Sequence, residues 1–256
     1  MSMDTALIRQ RFSAAAASYE AEALAQRRIA DRLWKLAAPC VAPKAAVLEL
    51  GAGTGLLTRR ILEARPSSLL LNDLYISPQL QQIMDAHPGV VSCREGNAEK
   101  LCFDGVFDAV LSASTVQWFD DLPFFFARCA HLLPAGGLLA FSSFLPGNLH
   151  EVAELTGVGL AYSEAKALRG YLAPHFDLQV LEQGEVTLHF DSPRDVLLHL
   201  RHTGVTGIRS VVWGKSRYEA FVTSYRARFA DGQGVRLTYR PVYVLAASRG
   251  LLCPRP

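Results

Sequence analysis

The chain has 256 residues, 50% hydrophobic and 20% charged, with a formal net charge of +2. That balance suits a soluble α/β domain with a decoration. It excludes a polybasic nucleic-acid binder, and no apolar run is long enough to span a bilayer. The five cysteines (Cys40, Cys93, Cys102, Cys129 and Cys253) form no C-x-x-C pair, and the seven histidines form no H-E-x-x-H. Reduced, mostly buried thiols are therefore expected, with no disulfide framework and no metal. The first ten residues carry Asp4 and Arg9 and no signal-type apolar core, so a cytoplasmic location is expected.

In chain order, residues 4–38 read as two helices. Ile8, Phe12, Ala15 and Tyr19 share one helical stripe; Ala30, Leu33, Trp34 and Ala37 share another. Tyr19 suits either the core or a lid over a ligand. Pro39 and Pro43 end helical structure in a linker over 39–44. An apolar strand over 46–50 runs into Glu49-Leu50-Gly51-Ala52-Gly53-Thr54-Gly55, and Leu57, Ile61 and Ala64 continue as a helix. Glycines at a strand-to-helix turn let a ligand approach the backbone. The sixth position of the run is Leu56, so this is not the dinucleotide fingerprint. Glu49 would repel a pyrophosphate but favours a cationic ligand.

A second strand over 68–73 ends on Asp73, 22 residues after Gly51. In a doubly wound fold that acid accepts hydrogen bonds from ribose hydroxyls. Ser77-Pro78 caps the next helix, with Leu80, Ile83 and Met84 as its apolar face. A third strand over 90–95 leads to Gly96-Asn97-Ala98-Glu99. A fourth over 107–112 leads to Ala113-Ser114-Thr115-Val116-Gln117-Trp118-Phe119. Asp121 starts a helix over 122–133, and Pro134-Ala135-Gly136-Gly137 turns into a fifth strand over 138–143. An excursion follows, with helices over 149–155 and 163–171. A sixth strand over 178–190, bent at Gly184, precedes a helix opened by Ser192-Pro193 and ending near Arg201 to Gly204. Another helix covers 215–229, and one last strand runs from Val235 to Leu245. Strand, turn and helix in succession give an α/β fold. The segments expected are a helical lid (1–44), a ligand-binding core (45–144), a helical insertion (145–177), the rest of the sheet with further helices (178–250) and a tail (251–256).

The E-x-G-x-G-x-G run, Asp73, the Asn97-Ala98 pair and the phrase F-D-A-V-L-S resemble, in this order, the motifs of class I S-adenosylmethionine (SAM) methyltransferases. That resemblance implies a Rossmann-like, seven-stranded sheet, mostly parallel with its last strand antiparallel. Helices flank the sheet, and the N-terminal helices and helical insertion form a lid. It also implies SAM as cofactor, held by Tyr19, Glu49, Leu50, Gly51, Gly53, Asp73, Leu74, Asn97, Ala98 and Ser112. Asn97 stands where aspartate is usual; its amide can still donate to and accept from an adenine edge.

The opening R-Q-R-F-S-A-A-A-A-S-Y-E, the S-A-S-T-V-Q-W-F-D-D-L segment, the S-P-R-D-V-L-L-H-L-R-H-T-G segment and the closing L-T-Y-R-P-V-Y together resemble the malonyl-[acyl-carrier protein] O-methyltransferase family of biotin synthesis. The resemblance implies methylation of the free malonyl carboxylate, carried on the phosphopantetheine of an acyl-carrier protein. The ester masks a charge, so elongation enzymes accept the chain as an apolar primer. No general base is needed, because a carboxylate of pKa about 4 is already ionised. Arg201, one turn past Leu197, is the expected orienting group, since a guanidinium fork matches a carboxylate. Gln117, Trp118 and Phe144 are expected to wall the acceptor. Arg27, Arg28, Arg32 and Lys35, and later Arg209, Lys215, Arg217, Arg226 and Arg228, suit an acidic carrier. Neither nucleic acid nor membrane is an expected partner. Two alternatives stay open: transfer to another small carboxylic acid or a quinone precursor, and a SAM-binding partner subunit without transfer activity.

Overall fold

The computed structural model describes residues 5–204 and 214–250. The chain begins with helices α1 (Thr5–Glu22) and α2 (Leu24–Ala37). The core follows as β1 (Ala46–Leu50), α3 (Leu56–Glu63), β2 (Ser68–Asp73), α4 (Pro78–Ala86), β3 (Val91–Glu95), β4 (Ala109–Ala113), α5 (Leu122–Leu132) and β5 (Leu138–Phe144). Next come α6 (His150–Thr156), α7 (Ala165–Leu172), β6 (Phe176–Gln183), β7 (Val186–Phe190), α8 (Pro193–His202) and α9 (Lys215–Phe229). The strands β8 (Ala230–Asp231), β9 (Gly234–Tyr239) and β10 (Pro241–Ser248) end the described chain.

Seven strands form the main sheet in the order β3-β2-β1-β4-β5-β10-β6, with β10 antiparallel to both neighbours and the pairs from β3 to β5 parallel. This is the class I methyltransferase arrangement. The strand order reverses beside β1, and in such sheets the crevice at the carboxyl ends of the strands is where ligands bind. The inner strands β1, β4, β5 and β10 are buried on both faces, so they are mainly apolar runs, whereas the edge strands β3 and β6 carry exposed polar residues. The helix starts follow local chemistry. Ser77 Oγ accepts from the Leu80 N–H at 3.1 Å, Asp121 Oδ1 from the Phe124 N–H at 2.9 Å, and Ser192 Oγ from the Asp195 N–H at 3.4 Å.

Two expected strands each break in two. The run over 178–190 splits at Gly184 and Glu185 into β6 and β7, and the run over 235–245 splits at Arg240 into β9 and β10. β7, β9 and β8 pair as a separate antiparallel sheet. The chain leaves the main sheet at Gln183 and re-enters it at Pro241, where the Gly184 N–H donates to the Pro241 carbonyl at 2.8 Å. The addition to the core is thus mainly this small sheet with α8 and α9. Helix α7 packs on α5 and β6 through Leu168 and Leu172 and flanks the main sheet. Helix α6 joins the addition through Glu151, whose buried carboxylate accepts from the Thr238 N–H at 3.1 Å and from Thr238 Oγ1 at 2.6 Å. The thiols are more exposed than expected: Cys40 and Cys102 are exposed, Cys93 is half-buried and Cys129 is buried. Cys253 lies outside the described residues.

Candidate active site

A cleft of about 920 Å³, open mouth included, lies at the carboxyl ends of β1, β2 and β4. Its floor is the glycine turn. Gly51 has φ +74°, and a Cβ there would stand 2.0 Å from Thr115 Oγ1. Gly53 has φ +60°, and a Cβ there would meet nothing within 4 Å, since it would project into open space. Both positions therefore favour glycine: the first by crowding and backbone, the second by backbone alone. The Gly53 N–H donates to Asp73 Oδ2 at 2.7 Å, and the Tyr75 N–H to Asp73 Oδ1 at 3.3 Å. Ser77 Oγ donates to the Gly53 carbonyl at 2.8 Å, tying the turn to the start of α4. Burial pushes the Asp73 carboxyl up from its ordinary value, and these backbone amides pull it partly back.

One side wall is the turn after β4: Ala113, Ser114, Thr115 and Trp118. Ser114 adopts φ +53°, rare for a residue with a side chain. Its N–H donates to Ser142 Oγ at 3.0 Å, which holds the turn in that conformation. The hydroxyls of Ser114 and Thr54 are buried and have no hydrogen-bond partner among the described residues, although both residues line the cleft. Orphaned buried hydroxyls beside an open cavity mark places for a polar ligand group.

The other wall is the loop Gly96 to Glu99. Asn97 Oδ1 accepts from the Glu99 N–H at 2.8 Å, and Asn97 Nδ2 reaches Thr5 Oγ1 at 3.4 Å. Glu99 Oε1 accepts from the N–H groups of Asp120 and Asp121 at 2.9 and 3.1 Å. From α5 the Arg128 guanidinium donates to the carbonyls of Glu99 and Leu101, and to that of Ala98 at 3.4 Å. The loop is thus bolted to α5 at its Ala98 and Glu99 end, while Gly96 is tied to β2 through Asn72 and Asp73.

Helix α1 covers the cleft with Thr5, Ile8, Phe12 and Tyr19. Phe12 packs edge-on against Trp118 at 6.0 Å and against Tyr19 at 6.5 Å. Burial, and secondarily the Asp73 charge, push the Tyr19 phenol well above its usual range, so it stays protonated.

The structure therefore brings Tyr19, Gly51, Gly53, Asp73, Leu74, Asn97, Ala98 and Trp118 onto one cleft. Six other sequence candidates do not line it. Glu49 is 1% exposed and accepts from Thr58 Oγ1 on α3 at 2.7 Å. Alternation along β1 puts Leu48 and Leu50 in the core on one face and Glu49 on the other. Burial above all raises its carboxyl to about 8, so it is mostly protonated at neutral pH. Of the two acids expected at the ligand, only Asp73 lines the cleft. Ser112 falls one residue short of the strand end and donates to the Leu50 carbonyl at 2.8 Å, so Ala113 to Thr115 take the rim. Gln117 Nε2 donates to the Ser114 carbonyl at 2.6 Å, bracing the turn. Phe144 is core, 6.1 Å from both Tyr162 and Tyr239. Arg201 is exposed, because α8 buries Val196, His199 and Leu200 on the opposite face.

Thr54, Ser77, Ser114 and Thr115 line the cleft without having been singled out by sequence. Thr54 sits inside the glycine run and Ser114 directly follows strand four, so position alone could have found them. Of the basic side chains, Arg32 pairs with Glu182 at 2.5 Å and Arg228 with Glu154. Arg209 lies outside the described residues.

A family model described as a methyltransferase domain matches residues 48–141. A malonyl-[acyl-carrier protein] O-methyltransferase of Bacteroides thetaiotaomicron is 36% identical, over 96% of this chain and 99% of that protein. The enzyme of the same name from Haemophilus ducreyi is 39% identical over 95% and 96%, respectively. Among solved structures, the YcgJ protein of Bacillus subtilis superposes with a TM-score of 0.62 at 16% identity, covering 88% of this chain and 99% of that one. The N-methyltransferase NodS of Bradyrhizobium japonicum, in complex with S-adenosyl-L-homocysteine, does so with a TM-score of 0.51 at 13% identity, covering 87% and 86%. These structures share the fold, whereas the sequence relatives match the cofactor half and the added small sheet alike. The chain belongs to the malonyl-[acyl-carrier protein] O-methyltransferase family.

Proposed function

We propose that this protein is a SAM-dependent O-methyltransferase acting on the free carboxylate of malonyl-[acyl-carrier protein]. The observation that carries the reading is identity of 36–39% to relatives of that name over 95–96% of the chain, acceptor half included. The cleft fits the cofactor. Gly53 leaves room beside the backbone, Gly51 lets Thr115 pack against the turn, the orphaned hydroxyls of Thr54 and Ser114 suit polar groups, and Asp73 keeps lone pairs for a ribose diol. Leu74, Asn97 and Ala98 form the far end, where adenine is placed.

When bound, SAM supplies an electrophilic methyl group on a sulfonium. The acceptor carboxylate is ionised at neutral pH, so the protein needs no base. Its work is to align the two groups and keep them dry. Phe12, Trp118 and Tyr19 do the drying, as a connected aromatic wall over the cleft. Opposite charges cancel as the methyl moves, so strong contacts to the carboxylate would favour the ground state. A wall of rings with one protonated phenol meets that requirement. No helix among the described residues is long and apolar enough to cross a membrane.

The test is an assay of purified protein with labelled SAM and malonyl-carrier protein, followed by mass measurement of the acyl group. A malonyl methyl ester supports the reading. Transfer to free dicarboxylic acids but not to the carrier-bound malonyl group refutes it.

A further inference from the structure

Helix α8 carries a stripe that neither the cleft nor the core uses. Arg194, Leu198 and Arg201 stand at i, i+4 and i+7, which puts them on one face. That face is opposite the buried Val196, His199 and Leu200. Both arginines are exposed, and Leu198 is 36% exposed, among the most open of the large apolar side chains. Some exposed arginines find a carboxylate, as Arg9 does with Glu95 and Arg249 with Asp177. Arg194 and Arg201 make no ion pair or side-chain hydrogen bond among the described residues. Asp195, the acid on the same helix, is turned to Ser192, whose Oγ donates to it at 2.6 Å.

The stripe is also close to the cleft. Helix α8 packs on α1, and Gly204, just past the end of α8, lies against Phe12, where a Cβ would be 3.1 Å from the ring. Phe12 lines the cleft. Leu198 precedes Gly204 by six residues, about 9 Å along a helix.

We propose that this Arg-Leu-Arg stripe docks the acyl-carrier protein, a reading that rests on the function proposed above. The two guanidinium forks meet carboxylates of the acidic carrier, and Leu198 seats an apolar side chain between them. A second copy of this chain is a poor occupant, because it would bring two more arginines to face these two. Arg201 thereby acts on the carrier and not on the malonyl carboxylate.

The experiment compares kcat/KM for malonyl-carrier protein with that for a small malonyl thioester of N-acetylcysteamine. In the Arg194→Glu/Arg201→Glu double variant, the ratio of carrier to small-thioester efficiency falls at least tenfold, through KM for the carrier. Arg194→Gln/Arg201→Gln moves the ratio in the same direction by less, and Leu198→Ser does so without a change in charge. A carrier with two surface acids changed to lysine restores turnover by the Glu variant. A ratio that stays constant overturns the proposal, including the case in which both substrates suffer equally because Arg201 handles the malonyl group. Wild-type turnover of the carrier substrate tests the activity separately, so failure of the surface and failure of the function are distinct results.

Discussion

Glu49 offers the sharpest test of the electrostatics under the glycine turn. Its carboxyl is 1% exposed and rises from 4.5 to about 8, chiefly through desolvation, against hydrogen bonding from the side chain and backbone of Thr58. Below pH 4.5 the folded and unfolded chains both hold this proton. Between 4.5 and 8 only the folded chain does, so stability is full at the acid end and is lost as the pH rises through 8. At about 1.4 kcal/mol per pH unit, the span amounts to about 5 kcal/mol, equivalent to about 10–20 °C in melting temperature for a chain of this size. Glu49→Gln keeps the acceptor for Thr58 and removes the proton. Urea unfolding of wild type and variant at several pH values from 4 to 9 isolates the effect, because Asp73, also raised, is common to both proteins. The wild type is expected to lose stability relative to the variant as pH increases. A difference between the two that does not change with pH would show that Glu49 is ionised in the fold and refute the argument.

Gly51→Ala is expected to weaken S-adenosylhomocysteine binding about 30-fold or more by calorimetry, since its Cβ displaces Thr115 from the cleft wall, and to lower the melting temperature through about 1–2 kcal/mol of left-handed backbone strain. Gly53→Ala should carry only the backbone strain in its melting temperature, yet lose affinity as well, because its methyl enters the cleft. Arg128→Met removes the donor to three loop carbonyls; at about 1.5–3 kcal/mol for hydrogen bonds from a charged group, KM for SAM should rise tenfold or more while kcat at saturating cofactor is kept. His199 is pushed down to about 4 by burial and bonds Tyr239 Oη at 2.8 Å. Between pH 6.5 and 4 only the unfolded chain takes up this proton, so acid removes about 3 kcal/mol of stability over that window, and His199→Gln should flatten the loss in acid-unfolding curves.

What the sequence made legible was local. The glycine run, Asp73 and the serine and aspartate caps each act within a few residues, and each stands where the pattern put it. Long-range placement was not legible. Alternation through Val235, Leu237 and Tyr239 predicts a strand, but nothing in a period of two says that Arg240 marks a change of sheet. Periodicity also misled at Arg201: it was placed by Leu197, which is only half-buried, whereas Val196, His199 and Leu200 define the buried face. A buried histidine on that face, polar by type, hid the stripe. Glu49 shows the same limit, since a charge beside a glycine motif reads as facing the ligand until the pleat of β1 turns it to Thr58.

The small sheet departs from β6 and returns on β10, and these strands are hydrogen-bonded neighbours, with Val242 opposite Gln183. Its two points of attachment are therefore about 5 Å apart, the spacing of adjacent strands. An insertion with so narrow a neck can be exchanged for a relative's without stretching the main sheet, provided that the faces of α1, α2 and α6 on which it packs are exchanged with it. Such chimeras would let acceptor choice evolve, or be engineered, independently of the methyl donor.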